Sequence, residues 1–352
     1  MFAAKHYPEQ ITGAELDLYL SKGWYRMGQT IFTTHFLCFG HSFYSAIWIR
    51  LDLEEYAFRK SLRKLLKKND QQLDISFGPA RIDPQREELY AIYREDFPGV
   101  IAPSILDSLQ DGEHFNIYNT LEFTAHLGDE LIALSYFDIG EDSVSSILGI
   151  YHPGYKDRSL GFYTMLKEIE YCIDHGIRYY YPGYIVPGYN RFDYKKRIGQ
   201  VDYYRLDTGD WEPLDQLAEE DIPIALIQTK LKDLQLQMAQ AGLESSLKFY
   251  PIFEANLFGY WGIPYLDYPL FLLCDFQQNT SEIPVIIFDP RTKLYQLMKC
   301  KDIEEFQFYF NEHFKSTFDS DLYFTRLIGV EQILISAPTE KEMVDTLQYA
   351  FG

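Results

Sequence analysis

The sequence predicts an α+β fold, and three patterns in it point there. Residues 119–151 hold three extended runs broken by short polar turns, the signature of an antiparallel meander. A helical stretch and one more extended run follow, a β-α-β step that sets the last strand parallel to the one before the helix. Beyond residue 213 a separate set of helices and strands carries its own apolar pattern.

Taken in order, Ala14–Ser21 reads as a helix. Thr30–Phe36 and Phe43–Leu51 are rich in aromatic and β-branched residues and read as strands paired across the Cys38–Ser42 turn, which contains Gly40. Glu54–Asn69 predicts an amphipathic helix. At about 100° per residue, Arg59, Lys60, Arg63, Lys64, Lys67 and Lys68 fall on one half of its wheel, and Phe58, Leu62, Leu65 and Leu66 on the other. Asp83–Phe97 is a helix with Pro84 in its first turn and Leu89, Ile92 and Tyr93 facing inward. Pro98–Asn116 is a looser crossing.

The meander comprises Leu121–His126, Glu130–Ile139 and Val144–Tyr151, with turns at Gly128-Asp129 and Gly140–Asp142. The helix Ser159–His175 is closed by Gly176, and the strand Ile177–Tyr181 follows. This order, antiparallel strands and then one β-α-β step, is that of a GNAT-like acyltransferase core, though many α+β domains share it. From Pro223 to Gly242 the apolar residues Ile224, Ile227, Leu231, Leu234, Met238 and Ala241 recur at helical spacing, too briefly for a coiled coil. Strands at Pro284–Phe288, Lys293–Met298, Leu322–Ile328 and Gln332–Ile335, with helices at Ile303–His313 and Thr339–Tyr349, complete an accessory α+β region. The expected units are an N-terminal α+β subdomain at 1–98, the GNAT-like core at 99–212, and a bridging helix with accessory domain at 213–352.

Composition narrows the function. Hydrophobic content of 47% and charged content of 24% over 352 residues are those of a globular chain. No run approaches the ~20 apolar residues of a membrane span, and no signal pattern opens the sequence, so a soluble protein with no membrane partner is expected. Cys38, Cys172, Cys274 and Cys300 are scattered, which predicts no disulfides, no metal site and a reducing cytoplasm. A net charge of -20 argues against binding nucleic acid over the whole surface. The basic half of Glu54–Asn69 runs against that sign, and it is either a solvated face or a ridge that contacts phosphates. The Walker A, nucleophile-elbow and zinc-protease motifs are absent from the sequence.

Lys156-Asp157-Arg158-Ser159-Leu160-Gly161 places small and polar residues at a helix start directly after a strand. Free N–H groups and the positive end of the helix dipole there can hold a phosphate or a developing oxyanion. Alone, the segment is equally well an ordinary cap by Asp157 or Ser159, with Gly161 allowing close packing on the sheet.

Its neighbours give it context. Ser159-Leu160-Gly161-Phe162-Tyr163, then Gly176, then Tyr179-Tyr180-Tyr181-Pro182-Gly183-Tyr184, then Tyr194-Lys195 resembles the C-terminal domain of the aminoacyl-tRNA–protein transferases. That family includes the eukaryotic arginyltransferases and the bacterial leucyltransferases. Gly23-Trp24-Tyr25-Arg26-Met27-Gly28 is similar to its G-[FW]-R-R-S-G, and Arg59–Asn69 to its R-S-Q-R-R-x-x-R-x-N. The resemblance covers residues 20–212. The chain departs from the family pattern at the N-terminal cysteine cluster, reduced to Cys38, at Tyr25-Arg26-Met27 in place of R-R-S, and at Pro182, Arg191 and Phe192.

The resemblance implies transfer of Arg or Leu from charged tRNA to the N-terminal amine of proteins that begin with Asp or Glu, marking them for degradation, with no cofactor beyond the aminoacyl-tRNA. It implies an oxyanion site at Ser159, Leu160 and Gly161, with Tyr194 also catalytic. Tyr181, Tyr184 and Tyr194 would wall the aminoacyl pocket, and Asp157, Arg158 and Gly183 would border the substrate. Lys195 would contact the tRNA phosphate or terminal adenosine, and Arg26 would pair with the acceptor's acidic side chain. Arg59, Lys60, Arg63, Lys64, Lys67, Lys68 and Lys196 would bind tRNA. The competing readings are an acyl-CoA-dependent N-acyltransferase, and a catalytically degenerate binding module of the same family.

Overall fold

The computed structural model describes residues 1–258, 264–275, 282–303 and 315–351. The chain opens with β1 (Ala3–His6), α1 (Gly13–Ser21), β2 (Tyr25–Met27) and β3 (Thr30–Thr34). The three strands form one small antiparallel sheet in the order β1-β3-β2. Thr12 and Glu15 form a capping box that fixes the start of α1. The expected strand Thr30–Phe36 is broken at His35, whose buried ring packs against Phe2 and Tyr204. After it, β4 (Phe36–Phe39) pairs with β5 (Ser42–Ser45) across Gly40, so the expected hairpin is present but shorter. The second expected run, Phe43–Leu51, also divides, because Ala46 bonds back to His35 before β6 (Ile47–Asp52) begins.

The helix expected over Glu54–Asn69 starts only at Lys60, as α2 (Lys60–Asp70). The segment before it is held out of the helix by tertiary bonds, Leu53 N–H to the Arg178 carbonyl and the Tyr56 hydroxyl to the Ile198 carbonyl. β7 (Asp74–Pro79) follows, an edge strand whose exposed residues give no alternating pattern to read. Asp83 caps α3 (Pro84–Asp96). The looser stretch contains α4 (Ile105–Gln110), capped by Ser104 through the Asp107 N–H.

The meander is β8 (Thr120–Leu127), β9 (Glu130–Ile139) and β10 (Ser143–Tyr151). It leads through α5 (Leu160–Asp174) to β11 (Tyr179–Ile185), β12 (Asp202–Tyr204) and β13 (Trp211–Pro213). These strands form an eight-stranded sheet in the order β13-β12-β6-β11-β10-β9-β8-β7. All its pairings are antiparallel except β10 with β11. Strands from both sides of residue 98 therefore share one sheet. One face is covered by α2 and α5 around Phe123, Phe137, Tyr163, Leu166, Ile169 and Tyr180. The other face carries two smaller clusters, around Tyr25, Trp48 and Tyr181 and around Leu89, Tyr90 and Tyr136.

Past the sheet, α6 (Pro223–Gln240) buries Ile227, Leu231, Leu234 and Met238 on a second sheet. That sheet is antiparallel throughout, in the order β14 (Ser245–Phe249), β15 (Leu270–Cys274), β16 (Glu282–Asp289), β17 (Leu294–Asp302), β18 (Ile328–Ala337). α7 (Glu340–Phe351) closes it. The expected strand at Leu322–Ile328 is instead a turn with a single bridge at Tyr323, and the short strand expected at Gln332–Ile335 lies inside the longer β18. The helix expected over Ile303–His313 lies, beyond Ile303, outside the described residues. Phe2 and Phe36 pack into this second core, tying the chain's start to it. Among the described residues no helix is long and apolar enough to cross a membrane, and the four cysteines are free.

Candidate active site

The one parallel pair in the sheet opens a cavity. β10 and β11 pair only from Ser143↔Tyr179 to Ser145↔Tyr181, and then diverge. β10 bulges between Ser146 and Leu148, and the register of β11 against β6 shifts between Tyr180 and Gly183. Pro182 sits in that shift, where the strand has already left its neighbour and a missing N–H costs no ladder bond. The opening holds a cavity of about 570 Å³. Ser146, Ile147, Gly149 and Tyr151 of β10 line one side, Pro182, Phe192, Tyr194 and Lys195 another. The first turns of α5 form its end, and Tyr93, Phe97 and Pro98 its outer wall.

The start of α5 is built differently from an ordinary cap. Ser159 adopts a left-handed conformation (φ 52, ψ 44) and its side chain makes no capping bond, nor does Asp157 cap the helix. The Phe162 and Tyr163 N–H groups bond the Ser159 carbonyl, whereas those of Leu160 and Gly161 have no acceptor among the described residues. Two donors without an acceptor thus lie at the positive end of a helix whose first residues line the cavity. Gly161 is required here for space, because a Cβ would lie 2.8 Å from the Tyr151 ring.

Two titratable groups line the cavity together with that helix start, and a third lies deeper along α5. Lys195 Nζ donates to the Tyr184 carbonyl at 3.1 Å and lies over the rings of Tyr184 and Phe192. It has no carboxylate partner among the described residues, and burial alone lowers its pKa to about 7. Gly183, at φ +92, leaves room for it; a Cβ there would stand 3.0 Å from Nζ. Burial raises the Tyr194 phenol above its usual range, so it remains a hydrogen-bond donor at neutral pH. Beneath the cavity Glu168 is fully buried and accepts the Tyr180 hydroxyl at 2.7 Å. Burial raises its carboxyl to about 7, offset in part by the bond from the Tyr180 hydroxyl. Glu168 is absent from the residues singled out in the sequence. Its signal is a carboxylate on the apolar stripe of α5, one turn from both Met165 and Cys172.

The charge of the lining is one-sided. In a chain with 52 acidic and 32 basic side chains, the cavity lining contains Lys156, Arg191 and Lys195 and no carboxylate. The α2 ridge adjoins it, with Arg59, Lys60, Arg63, Lys64, Lys67 and Lys68 all exposed. Arg59 donates to the Arg197 carbonyl at 2.6 Å, Lys68 to the Asp157 carbonyl at 3.4 Å, and Asn69 to the Arg158 carbonyl at 3.1 Å. The two ends of the ridge are thus fastened to the two segments that border the cavity.

Residues 78–205 match the family described as arginine-tRNA-protein transferase, C terminus, a span that contains every residue lining the cavity. The aspartate/glutamate leucyltransferase of Leptospira interrogans is 30% identical over 195 residues, covering 54% of this chain and 74% of the relative. The chain belongs to the aminoacyl-tRNA–protein transferase family. The aspartate/glutamate leucyltransferase of Helicobacter hepaticus is 27% identical over 187 residues, 51% of this chain and 74% of its own length. Among solved structures, L-PGS from Bacillus licheniformis aligns with a TM-score of 0.31 at 12% identity over 40% of this chain and 46% of its own, a likeness too slight to bear on the fold.

Within this family member the residues expected at the site separate into two groups. Ser159, Leu160, Gly161, Tyr194 and Lys195 line one cavity, with Gly183 directly behind Lys195. The others lie elsewhere. Arg26 is buried and spends its donors on the Gly28 and Leu109 carbonyls, Thr120, Asn116 and Asp138, with its guanidinium over Tyr118. It has nothing left for a substrate. Tyr181 points to the opposite face of the sheet from Tyr180, as strand alternation requires, and packs on Tyr25 and Trp211. Tyr184 gives the cavity its carbonyl, while its ring packs on Trp48 and Phe192. Arg158 turns away to Gln72, and Asp157 is exposed outside the cavity. Lys196 is exposed and paired with Asp193.

Proposed function

We propose that this chain transfers a neutral, apolar amino acid such as leucine from charged tRNA to the N-terminal amine of a protein that begins with Asp or Glu. Family membership supports the reaction class, and the aspartate/glutamate leucyltransferases among its relatives support the acceptor. The cavity lining supports the choice of donor, because it offers no carboxylate to pair with an arginyl side chain. In this reading the β10–β11 opening and α5 are a GNAT-like acyl-transfer core, residues 213–352 are an accessory unit, and the cytoplasm is the compartment.

The aminoacyl ester arrives activated, so the site must orient two substrates, free the amine of its proton and stabilise an oxyanion. An α-ammonium group has a pKa near ~8 and is mostly protonated at pH 7. Lys195, about half neutral there, takes its proton. The amine then attacks the ester carbonyl, whose oxygen develops charge toward the Leu160 and Gly161 N–H groups. As the ester C–O bond breaks, the ribose oxygen receives a proton from Lys195, with the Tyr194 hydroxyl donating a hydrogen bond beside it. The second amine proton leaves to solvent. The α2 ridge and Lys196 hold the tRNA backbone by charge.

A transfer assay with total charged tRNA and peptides differing at residue one tests this. Labelled leucine passing to Asp- and Glu-starting peptides is the expected result. Transfer of arginine in preference to leucine would reverse the donor assignment, and stabilisation by acyl-CoA but not by charged tRNA would favour the acyl-CoA reading.

A further inference from the structure

The acceptor's acidic side chain needs a cation, and Arg26, the residue expected to supply it, is fully engaged inside the protein. Three cations remain at the cavity. Lys156 Nζ is already paired with Asp96 at 3.1 Å. Lys195 is enclosed by two rings and bonded to a carbonyl.

Arg191 differs from both. Its guanidinium lies 4.4 Å over the Phe97 ring and donates one bond to the Pro98 carbonyl at 3.0 Å. Gly99 allows this approach, since a Cβ there would come within 3.3 Å of the guanidinium. The Phe97-Pro98-Gly99 segment therefore fixes the orientation of the group while using one of its five donors. No carboxylate pairs with it among the described residues, and its charge reaches the Tyr93 and Tyr194 hydroxyls of the cavity wall. A planar cation stacked on one face, with its remaining edge free, is the arrangement that receives a carboxylate in two parallel hydrogen bonds.

We infer that Arg191 selects the acceptor, binding the side-chain carboxylate of a first-residue Asp or Glu while the α-amine lies toward Lys195 and the helix start. The inference rests on the acceptor assignment above and deepens it. The carboxylate would displace only water from the guanidinium edge. An amide at the same position would face donors with its own NH2 group and lose one of the two bonds.

The test measures both binding and transfer, for peptides identical except for Asp, Asn or Arg at residue one, with wild type, Arg191→Gln, Arg191→Glu and Lys156→Gln. In wild type the Asp peptide should exceed the Asn peptide roughly 10- to 100-fold in both Kd and kcat/KM. Arg191→Gln should collapse that ratio to within about threefold, Arg191→Glu should shift preference toward the Arg peptide, and Lys156→Gln should keep the ratio. Retention of the ratio in Arg191→Gln, or its collapse in Lys156→Gln, overturns the inference. A wild type that transfers nothing overturns the proposed reaction, and the Kd ratios still decide the role of Arg191. A wild-type Kd ratio near one rejects that role whatever the transfer assay gives.

Discussion

Arg26 and the cavity cations set two regions of one protein against each other. Arg26 sits behind the ends of β8 and β9, buried, stacked on Tyr118, with Asp138 and Thr120 held against it. Lys195 and Arg191 stand at the β10–β11 opening, equally well positioned but without a carboxylate partner among the described residues. A buried cation with all its donors used is a structural part, because any substrate would have to replace partners that are already optimal. A cation fixed by one carbonyl and one ring face, as Arg191 is, keeps its other donors available. Being positively charged near a site is therefore a poor guide to function, and the partner list is a good one.

The largest effect should come from breaking the first region. Arg26→Ala or Asp138→Ala leaves its partner charged and buried, a cost of about 3–5 kcal/mol, which thermal or urea unfolding will read. Arg191→Ala, at an exposed position, should stay within about 0.5 kcal/mol of wild type. Equal costs for the two would erase the contrast.

Next in size is Lys195→Met. Transfer should fall by about 10²–10⁴, the range lost with a general base, and the wild-type rate should rise with pH through a midpoint near 7. Stability should move the other way. Between pH 7 and the ordinary lysine pKa the unfolded chain binds a proton that the folded chain does not, so wild-type stability rises with pH across that window. The methionine variant should therefore melt higher than wild type at pH 7, with the difference shrinking toward pH 10. A variant that melts lower at pH 7 would place Lys195 with Arg26 as a structural part.

Smaller again is the ridge. Arg63→Glu with Lys64→Glu and Lys67→Glu should raise the KM for charged tRNA about tenfold or more at low salt and flatten the salt dependence of binding, with little change in melting temperature. An unchanged salt slope would return α2 to a solvated face. Glu168→Gln is read by stability alone. The folded carboxyl binds its proton more tightly than the unfolded one between pH 4.5 and about 7, so wild-type stability falls as pH rises through that window. The variant should gain on wild type above pH 7 and match it below 4.5.

Much of this was legible in the chain itself. The meander, α5 with its closing Gly176, and the parallel step to β11 follow from alternation, helical period and one glycine, all local signals. The two halves of α2 were legible for the same reason, and so was the family, through motifs that occur in sequence order. α4 was also there to read, in Ser104 and Asp107 at capping spacing. Beyond local order the chain says little. β7 is an exposed edge strand with no alternation, identified only by the β8 neighbour it pairs with. Tyr180 and Tyr181 are adjacent and chemically equal, and only the strand's placement between two cores sends one beneath the cavity and the other away from it. The partners that occupy Arg26, Asp138 and Thr120, lie more than ninety residues along the chain, and those that steady Arg191 belong to the segment at Phe97–Gly99. Composition and period act over a few residues and determined the elements, while the motifs in sequence order carried the resemblance from which the reaction class follows. Which cation is consumed by the fold and which is left to bind substrate depends on packing between distant segments, and the tertiary structure alone decided it.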